Sequence, residues 1–116
     1  MAMGIYSLYS NTTRSNLVAI GDSSLYNNGI SASLPYHATW NTAVGSKSLF
    51  SNTTGAENTA LGYNSLYANT SGEFNTAIGS RAMLQNTSGF DNVALGNEAL
   101  LSNLSGHSNT AAGLQT

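Results

Sequence analysis

The chain has 116 residues, 41% of them hydrophobic, which fits one folded domain with a modest core and argues against disorder. Its charged fraction is the anomaly, at 7% against about 25% in an ordinary soluble domain. With only Arg14, Lys47 and Arg81 as bases and a net charge of −2, it offers no clustered cations for a phosphate backbone, which argues against nucleic acid as a partner.

The opening MAMGIYSLYS lacks the basic and then apolar regions of a signal peptide, and no apolar run approaches the roughly 18 residues of a membrane span. The chain as written is therefore expected neither to enter nor to cross a membrane by itself. Gly4 begins a first unit, whose string Ser7-Leu8-Tyr9-Ser10-Asn11-Thr12-Thr13 returns almost letter for letter as Ser48-Leu49-Phe50-Ser51-Asn52-Thr53-Thr54. Val18-Ala19-Ile20-Gly21 is the next copy of the repeat phrase, and the coil from Gly21 to Val44 is seven residues longer than its neighbours. It holds the only proline and the only tryptophan, in NNGISASLPYHATW from Asn27 to Trp40. Beyond it, Asn-Thr-Ala-aliphatic-Gly begins at Asn41, Asn58, Asn75, Asn92 and Asn109, always seventeen residues apart, with Val93 replacing Thr in one copy and Ala112 the aliphatic residue in the last. Residues 1–116 read as a single repeat domain, with coils starting near Gly4, Gly21, Gly45, Gly62, Gly79 and Gly96.

Glycine recurs in one slot as Gly4, Gly21, Gly45, Gly62, Gly79, Gly96 and Gly113, and in a second as Gly55, Gly72, Gly89 and Gly106. Fixed glycines mark positive φ or a close approach, so each repeat is expected to turn twice, with Asn-Thr-Ser-Gly as turn chemistry at one corner. Between the corners lie two short arms. Thr-Ala-Val/Leu/Ile is β-branched and reads as a strand. Ser-Leu-Tyr/Phe is too short for a buried helix and also reads as a strand, although Arg81-Ala82-Met83-Leu84 and Glu98-Ala99-Leu100-Leu101 tolerate a helical turn. Units this short bury a face only by stacking, which predicts an all-β parallel solenoid or β-roll of about six seventeen-residue coils.

Stacking accounts for the scarcity of charge, because like charges in a ladder of one-coil spacing repel while Asn, Thr, Ser and Ala are tolerated. It also leaves a face uncovered. Tyr9, Tyr26, Phe50, Tyr67, Leu84 and Leu101 form one column, and Leu8, Leu25, Leu49, Leu66, Met83 and Leu100 the adjacent one; alternation puts them on opposite faces without saying which is internal. The column left outside predicts self-association.

NTALG, NTAIG and NVALG, with VAIG at Val18 to Gly21, resemble the head repeats of YadA-like trimeric autotransporter adhesins. Units such as GYNSLYANTSGEFNTAIG look still more like arrays in bacteriophage tail-fibre and related virion proteins. The resemblance spans about Gly4 to Gly113 and implies a left-handed roll and a homotrimer. It lacks the signal peptide, coiled-coil stalk and anchor of an adhesin and the attachment region of a fibre, so a bare repeat knob is expected. The resulting expectation is a non-enzymatic protein of a phage virion surface, made in the host cytoplasm. Its first reading is a trimeric capsid decoration or cement protein that bridges capsid subunits through one end and the segments Met1–Met3 and Leu114–Thr116. The alternative is a receptor-binding head that contacts host glycan or protein.

Five Asn-x-Ser/Thr sequons fall at Asn11, Asn52, Asn69, Asn86 and Asn103, all in one corner slot, so turn chemistry is favoured over glycosylation. His37 and His107 have no ligand spacing, and a calcium-binding roll needs Asp ladders that are missing; no metal or cofactor is expected. No nucleophile-elbow phrase joins Ser, His and Asp, so no catalytic residue is expected either. The insertion is the irregular feature, and Pro35, Tyr36, His37 and Trp40 are its candidate partner contacts, weighed equally against packing down onto the roll.

Overall fold

The computed structural model describes all residues from Met1 to Thr116. Seven short strands stack in chain order into one parallel sheet: β1 (Ala2–Met3), β2 (Val18–Ile20), β3 (Thr42–Val44), β4 (Thr59–Leu61), β5 (Thr76–Ile78), β6 (Val93–Leu95) and β7 (Thr110–Ala112). Each strand pairs with the next in the register of the repeat, so that Thr59 lies opposite Thr76, Ala60 opposite Ala77 and Leu61 opposite Ile78. The chain is an all-β parallel solenoid, as its periodicity predicts, and it contains no helix.

The second arm departs from expectation, for it forms turns rather than strand. Its residues alternate into the left-handed region, with Asn64 at φ 56° and Leu66 at φ 51°, and the same alternation recurs at Lys47 and Leu49 and at Arg81 and Met83. Local bonds close the turns, from Ser65 N–H to the Gly62 carbonyl and from Asn69 N–H to the Leu66 carbonyl. The remaining groups still reach the next coil, Leu66 N–H donating to Ala82 O at 3.0 Å and Ala68 N–H to Leu84 O at 3.0 Å. The arm thus keeps a ladder without extended backbone. Of 70 backbone hydrogen bonds only 11 lie within strands, so the column is held chiefly outside them.

The interior is narrow and follows from side-chain size. From the sheet it receives only alanine, with Ala19, Ala43, Ala60, Ala77 and Ala94 fully buried, and from the opposite arm Leu25, Leu49, Leu66 and Met83, also fully buried. Small residues facing large ones fill such a space without voids. The Leu column is therefore the core. The Tyr9, Tyr26, Phe50, Tyr67, Leu84 and Leu101 stripe lies outside: Tyr9 is exposed and the others are half-buried, which corrects its reading as a possible core stripe. An aromatic ring is too wide to sit opposite alanine here, and a buried tyrosine would also need a partner for its hydroxyl.

The remaining wall is two asparagine ladders. In one, the Asn69 side-chain amide donates to Asn52 Oδ1 at 3.0 Å and Asn86 to Asn69 Oδ1 at 2.9 Å, while each also donates to the carbonyl of its own coil's glycine. In the other, Asn75 Nδ2 donates to Asn58 Oδ1 at 3.1 Å and to Gly89 O at 2.7 Å, and its backbone N–H donates to Asn58 Oδ1 at 3.0 Å. Asn28 joins the first ladder, seventeen residues after Asn11, to which it donates. Buried amides are costly unless paired, and here they also satisfy corner groups that no strand reaches.

The two glycine slots serve different purposes. Gly45, Gly62, Gly79 and Gly96 sit at φ between 128° and 135° and form the corners before the turn arm, as expected. The second slot does not need positive φ, contrary to the simplest reading of recurrent glycine. At Gly72 a Cβ would lie 2.3 Å from Asn69 Oδ1 and 2.4 Å from the Gly89 carbonyl. Glycine there lets the coils and the ladder close up.

Candidate functional site

Three outward features remain once the core is assigned. The first is the outer face of the sheet, where alternation places two columns. One is Val18, Thr42, Thr59, Thr76, Val93 and Thr110; the other is Ile20, Val44, Leu61, Ile78 and Leu95, preceded by Met3. The aliphatic column is continuous, and its members Met3, Ile78 and Leu95 are 59%, 40% and 41% exposed. A regular row of half-exposed aliphatic side chains is an extended apolar surface rather than scattered residues.

The second feature is the aromatic stripe. Tyr9, Tyr26, Phe50 and Tyr67 stack with ring centroids 4.9, 5.1 and 5.2 Å apart and planes within 17° of parallel. Tyr6 meets Tyr9 and Tyr26 edge-on. The coil spacing imposes this stacking, and each ring pair adds about 0.5–1.5 kcal/mol beyond its buried area. The ring edges, not the faces, are turned outward.

The third is the insertion, which the structure narrows. Asn28 bonds to the Ala38 carbonyl as Asn52 bonds to that of Gly55, so Ala38 occupies the second glycine slot and the extra residues lie between 29 and 37. Arg14 holds them in place: Nη1 donates to Leu34 O at 2.9 Å and Nη2 to Ala32 O at 2.6 Å. Gly29 makes room for the arginine stem, since a Cβ there would meet Arg14 Cγ at 3.0 Å. Within the loop the Leu34 N–H donates to His37 Nδ1, and Tyr36 packs edge-on against the His37 ring.

Pro35 and Tyr36 are exposed and His37 is half-buried, so the loop brings these three predicted contacts together on its outside. Trp40 is separate. It belongs to a regular corner slot with Asn16, Glu57, Phe74, Asp91 and Ser108, all with φ between 55° and 60°. Arg14 was not singled out from the sequence, although it stands where later coils carry glycine.

Asn52, Asn69 and Asn86 are fully buried with their amides in the ladder, so the folded protein offers no access to these sequons. His107 stacks on Phe90 at 4.7 Å, and no group of three His, Cys, Asp or Glu side chains is placed to hold a metal ion. Glu98 pairs with Arg81 and accepts from Gln115, while Asn64 Oδ1 in the same column is buried without a partner. A recess of about 420 Å³ opens at the last coil, where the core and both ladders end, lined in part by Leu100, Asn103, Asn109 and Gln115. No helix is long and apolar enough to cross a membrane.

Compared with family models, curated proteins and solved structures, the chain finds no match in any of the three.

Proposed function

We propose that the protein is a non-enzymatic structural component of a bacteriophage virion surface, a homotrimeric decoration or cement protein that bridges neighbouring capsid subunits. The observation that carries the reading is the continuous aliphatic column Ile20, Val44, Leu61, Ile78 and Leu95 on the outer face of a rigid, charge-poor sheet. A row of this length is what a self-complementary contact between copies requires, and burying it contributes about 25 cal/mol for each Å² removed from water. The resemblance of the NTALG-type phrases to YadA-like head repeats supplies the number three, the left-handed coil and the virion setting. In this reading the partners are the copies themselves and the major capsid protein. Neither nucleic acid nor membrane takes part.

Sedimentation equilibrium tests the assembly: three times the 12.0 kDa chain mass is expected, and Ile78→Asp should release monomers. Labelling of purified particles tests the setting. Particles that lack the protein, or capsids equally stable without it, would end this reading.

The loop clamped by Arg14 favours a second reading, a receptor-binding head, because it holds Tyr36 outward on a rigid scaffold. Binding of the isolated protein to host cells, lost on Tyr36→Ala or Trp40→Ala, selects that reading over cement.

A further inference from the structure

One corner of the column carries a pattern that neither the core nor the apolar sheet face explains. In successive coils the pairs Thr39-Trp40, Ala56-Glu57, Glu73-Phe74 and Phe90-Asp91 stack directly. Glu57 N–H donates to Thr39 O, Phe74 N–H to Ala56 O and Asp91 N–H to Glu73 O, all between 3.0 and 3.2 Å. One column therefore alternates aromatic and acidic residues: Trp40, Glu57, Phe74, Asp91. The neighbouring column adds Glu73 and Phe90. The three aromatics are 51%, 49% and 43% exposed, and of them only Phe90 is stacked on another ring, that of His107.

The carboxylates are equally unpartnered. The only ion pair in the chain is Arg81 with Glu98, and no side-chain hydrogen bond reaches Glu57, Glu73 or Asp91. Three of the five acidic residues thus gather on an edge whose only basic side chain is His107, stacked on Phe90 at its far end. Arg14 is engaged by the loop carbonyls, and Lys47 and Arg81 belong to the turn arm.

We propose that this corner is a docking ridge for an extended, arginine-bearing segment of a partner protein. The charge is complementary, and a guanidinium is the cation that best combines stacking on an aromatic face with pairing to a carboxylate. The spacing fits as well. Coils about 4.8 Å apart place Trp40 and Phe74, and likewise Glu57 and Asp91, about 9.6 Å apart. A polyproline-type segment advances about 3.1 Å per residue with three residues per turn, so side chains at i and i+3 share a face about 9.3 Å apart. Arginines three residues apart would stack on Trp40 and Phe74 while their charges meet Glu57 and Asp91. The assignment stands apart from the virion reading, since it specifies chemistry and not location.

A fluorescein-labelled peptide of three Arg-Pro-Pro units, added to the full chain, tests it by anisotropy and by Trp40 fluorescence. Binding should weaken with added salt, as exposed ion pairs are screened. Trp40→Ala with Phe74→Ala should lower affinity about tenfold. Glu57→Gln with Asp91→Asn, both at exposed sites, should weaken the salt dependence and leave only the share due to Glu73. A peptide of the same composition with adjacent arginines should bind more weakly. The proposal is overturned by absence of binding at low salt, by equal binding of the adjacent-arginine peptide, or by variants that bind as well as the parent. It is also overturned if neutral oligosaccharides alone change Trp40 fluorescence, or if the variants lower the solution mass, which would assign the corner to contact between copies.

Discussion

Asn75 is the position at which the ladder can be tested most sharply. It is fully buried in the middle of the column. Its Nδ2 serves Asn58 Oδ1 and Gly89 O, and its Oδ1 accepts from both the backbone N–H of Asn92 at 3.2 Å and Asn92 Nδ2 at 3.0 Å. In Asn75→Ala the Gly89 carbonyl keeps Asn86, and Asn92 Nδ2 keeps Gly106 O. The Asn92 N–H has no other acceptor. One orphaned buried donor costs about 1–3 kcal/mol, and the three other side-chain bonds lost, whose partners each keep a second bond, add about 0.5–1 kcal/mol each. The expected loss is about 3–6 kcal/mol, or a fall in Tm of about 10–30 °C for a domain of this size.

Asn75→Asp separates hydrogen bonding from volume, since the two side chains are isosteric. The new oxygen would face Asn58 Oδ1 at 3.1 Å and Gly89 O at 2.7 Å, both acceptors. Ionised, the carboxyl is a buried charge against two hydrogen-bond acceptors; protonated, its hydroxyl can donate to Gly89 O. Its pKa in the folded state is therefore raised above the ordinary value of about 3.9. The folded state then holds more protons than the unfolded one, so the variant is most stable below about pH 4 and loses stability as pH rises from there toward its folded-state pKa. Urea unfolding at pH 4 and pH 7, followed by circular dichroism, reads the difference, and amide exchange at Asn92 locates it. Stability at pH 7 within about 1 kcal/mol of the parent for both variants, or an aspartate variant no weaker at pH 7 than at pH 4 relative to the parent, would refute the ladder argument.

Leu66→Ala should cost about 2–5 kcal/mol in denaturant unfolding because Leu66 is fully buried, whereas Tyr67→Ala, at a half-buried ring in the outer stack, should cost about 1 kcal/mol in the isolated chain. Gly72→Ala should prevent coil closure and cost more than about 3 kcal/mol, while Gly29→Ala, strained by a φ of 80° but close only to the flexible Arg14 stem, should cost about 1–2 kcal/mol by the same assay. Lys47→Asn, at an exposed left-handed residue with φ 57°, should stabilise by about 0.5–1 kcal/mol, seen as a raised thermal midpoint. Arg14→Ala should speed proteolysis within residues 29–37 with little change in the midpoint, and Arg14→Lys should not restore the parent rate because one ammonium cannot span the Leu34 and Ala32 carbonyls in the same way.

The architecture was legible because a period leaves little freedom. Once Asn41, Asn58, Asn75, Asn92 and Asn109 are seventeen residues apart, only stacking in register lets every Ala of the phrase face one interior, and the sheet pairs Ala43, Ala60, Ala77 and Ala94 in that order. The choice of internal column also left a trace. The slot of Leu8, Leu25, Leu49, Leu66, Met83 and Leu100 never takes an aromatic residue, while its neighbour takes tyrosine, whose hydroxyl belongs near water. Trp40 had a comparable signal, lying seventeen residues before Glu57, yet its place beside the only proline invited assignment to the insertion.

The conformation of the turn arm was not legible, and the reason is physical. Leu25, Leu49, Leu66 and Met83 lie at φ between 48° and 51° in the left-handed region, where a local reading puts glycine or asparagine rather than a large apolar residue. A left-handed residue costs about 1–2 kcal/mol, but complete burial of a leucine side chain returns about 1.5–3 kcal/mol, and the ladder bonds to the next coil come with it. Stacking thus reverses the local preference, coil after coil. The same cooperation ties the surfaces to the core: left-handed Leu66 points inward and leaves Tyr67 outside, and left-handed Glu57, Phe74 and Asp91 hold the corner at which carboxylates and rings alternate. The recognition surfaces proposed here are thus consequences of how the column closes, so a change that loosens the ladders should disturb them even where no surface residue is altered.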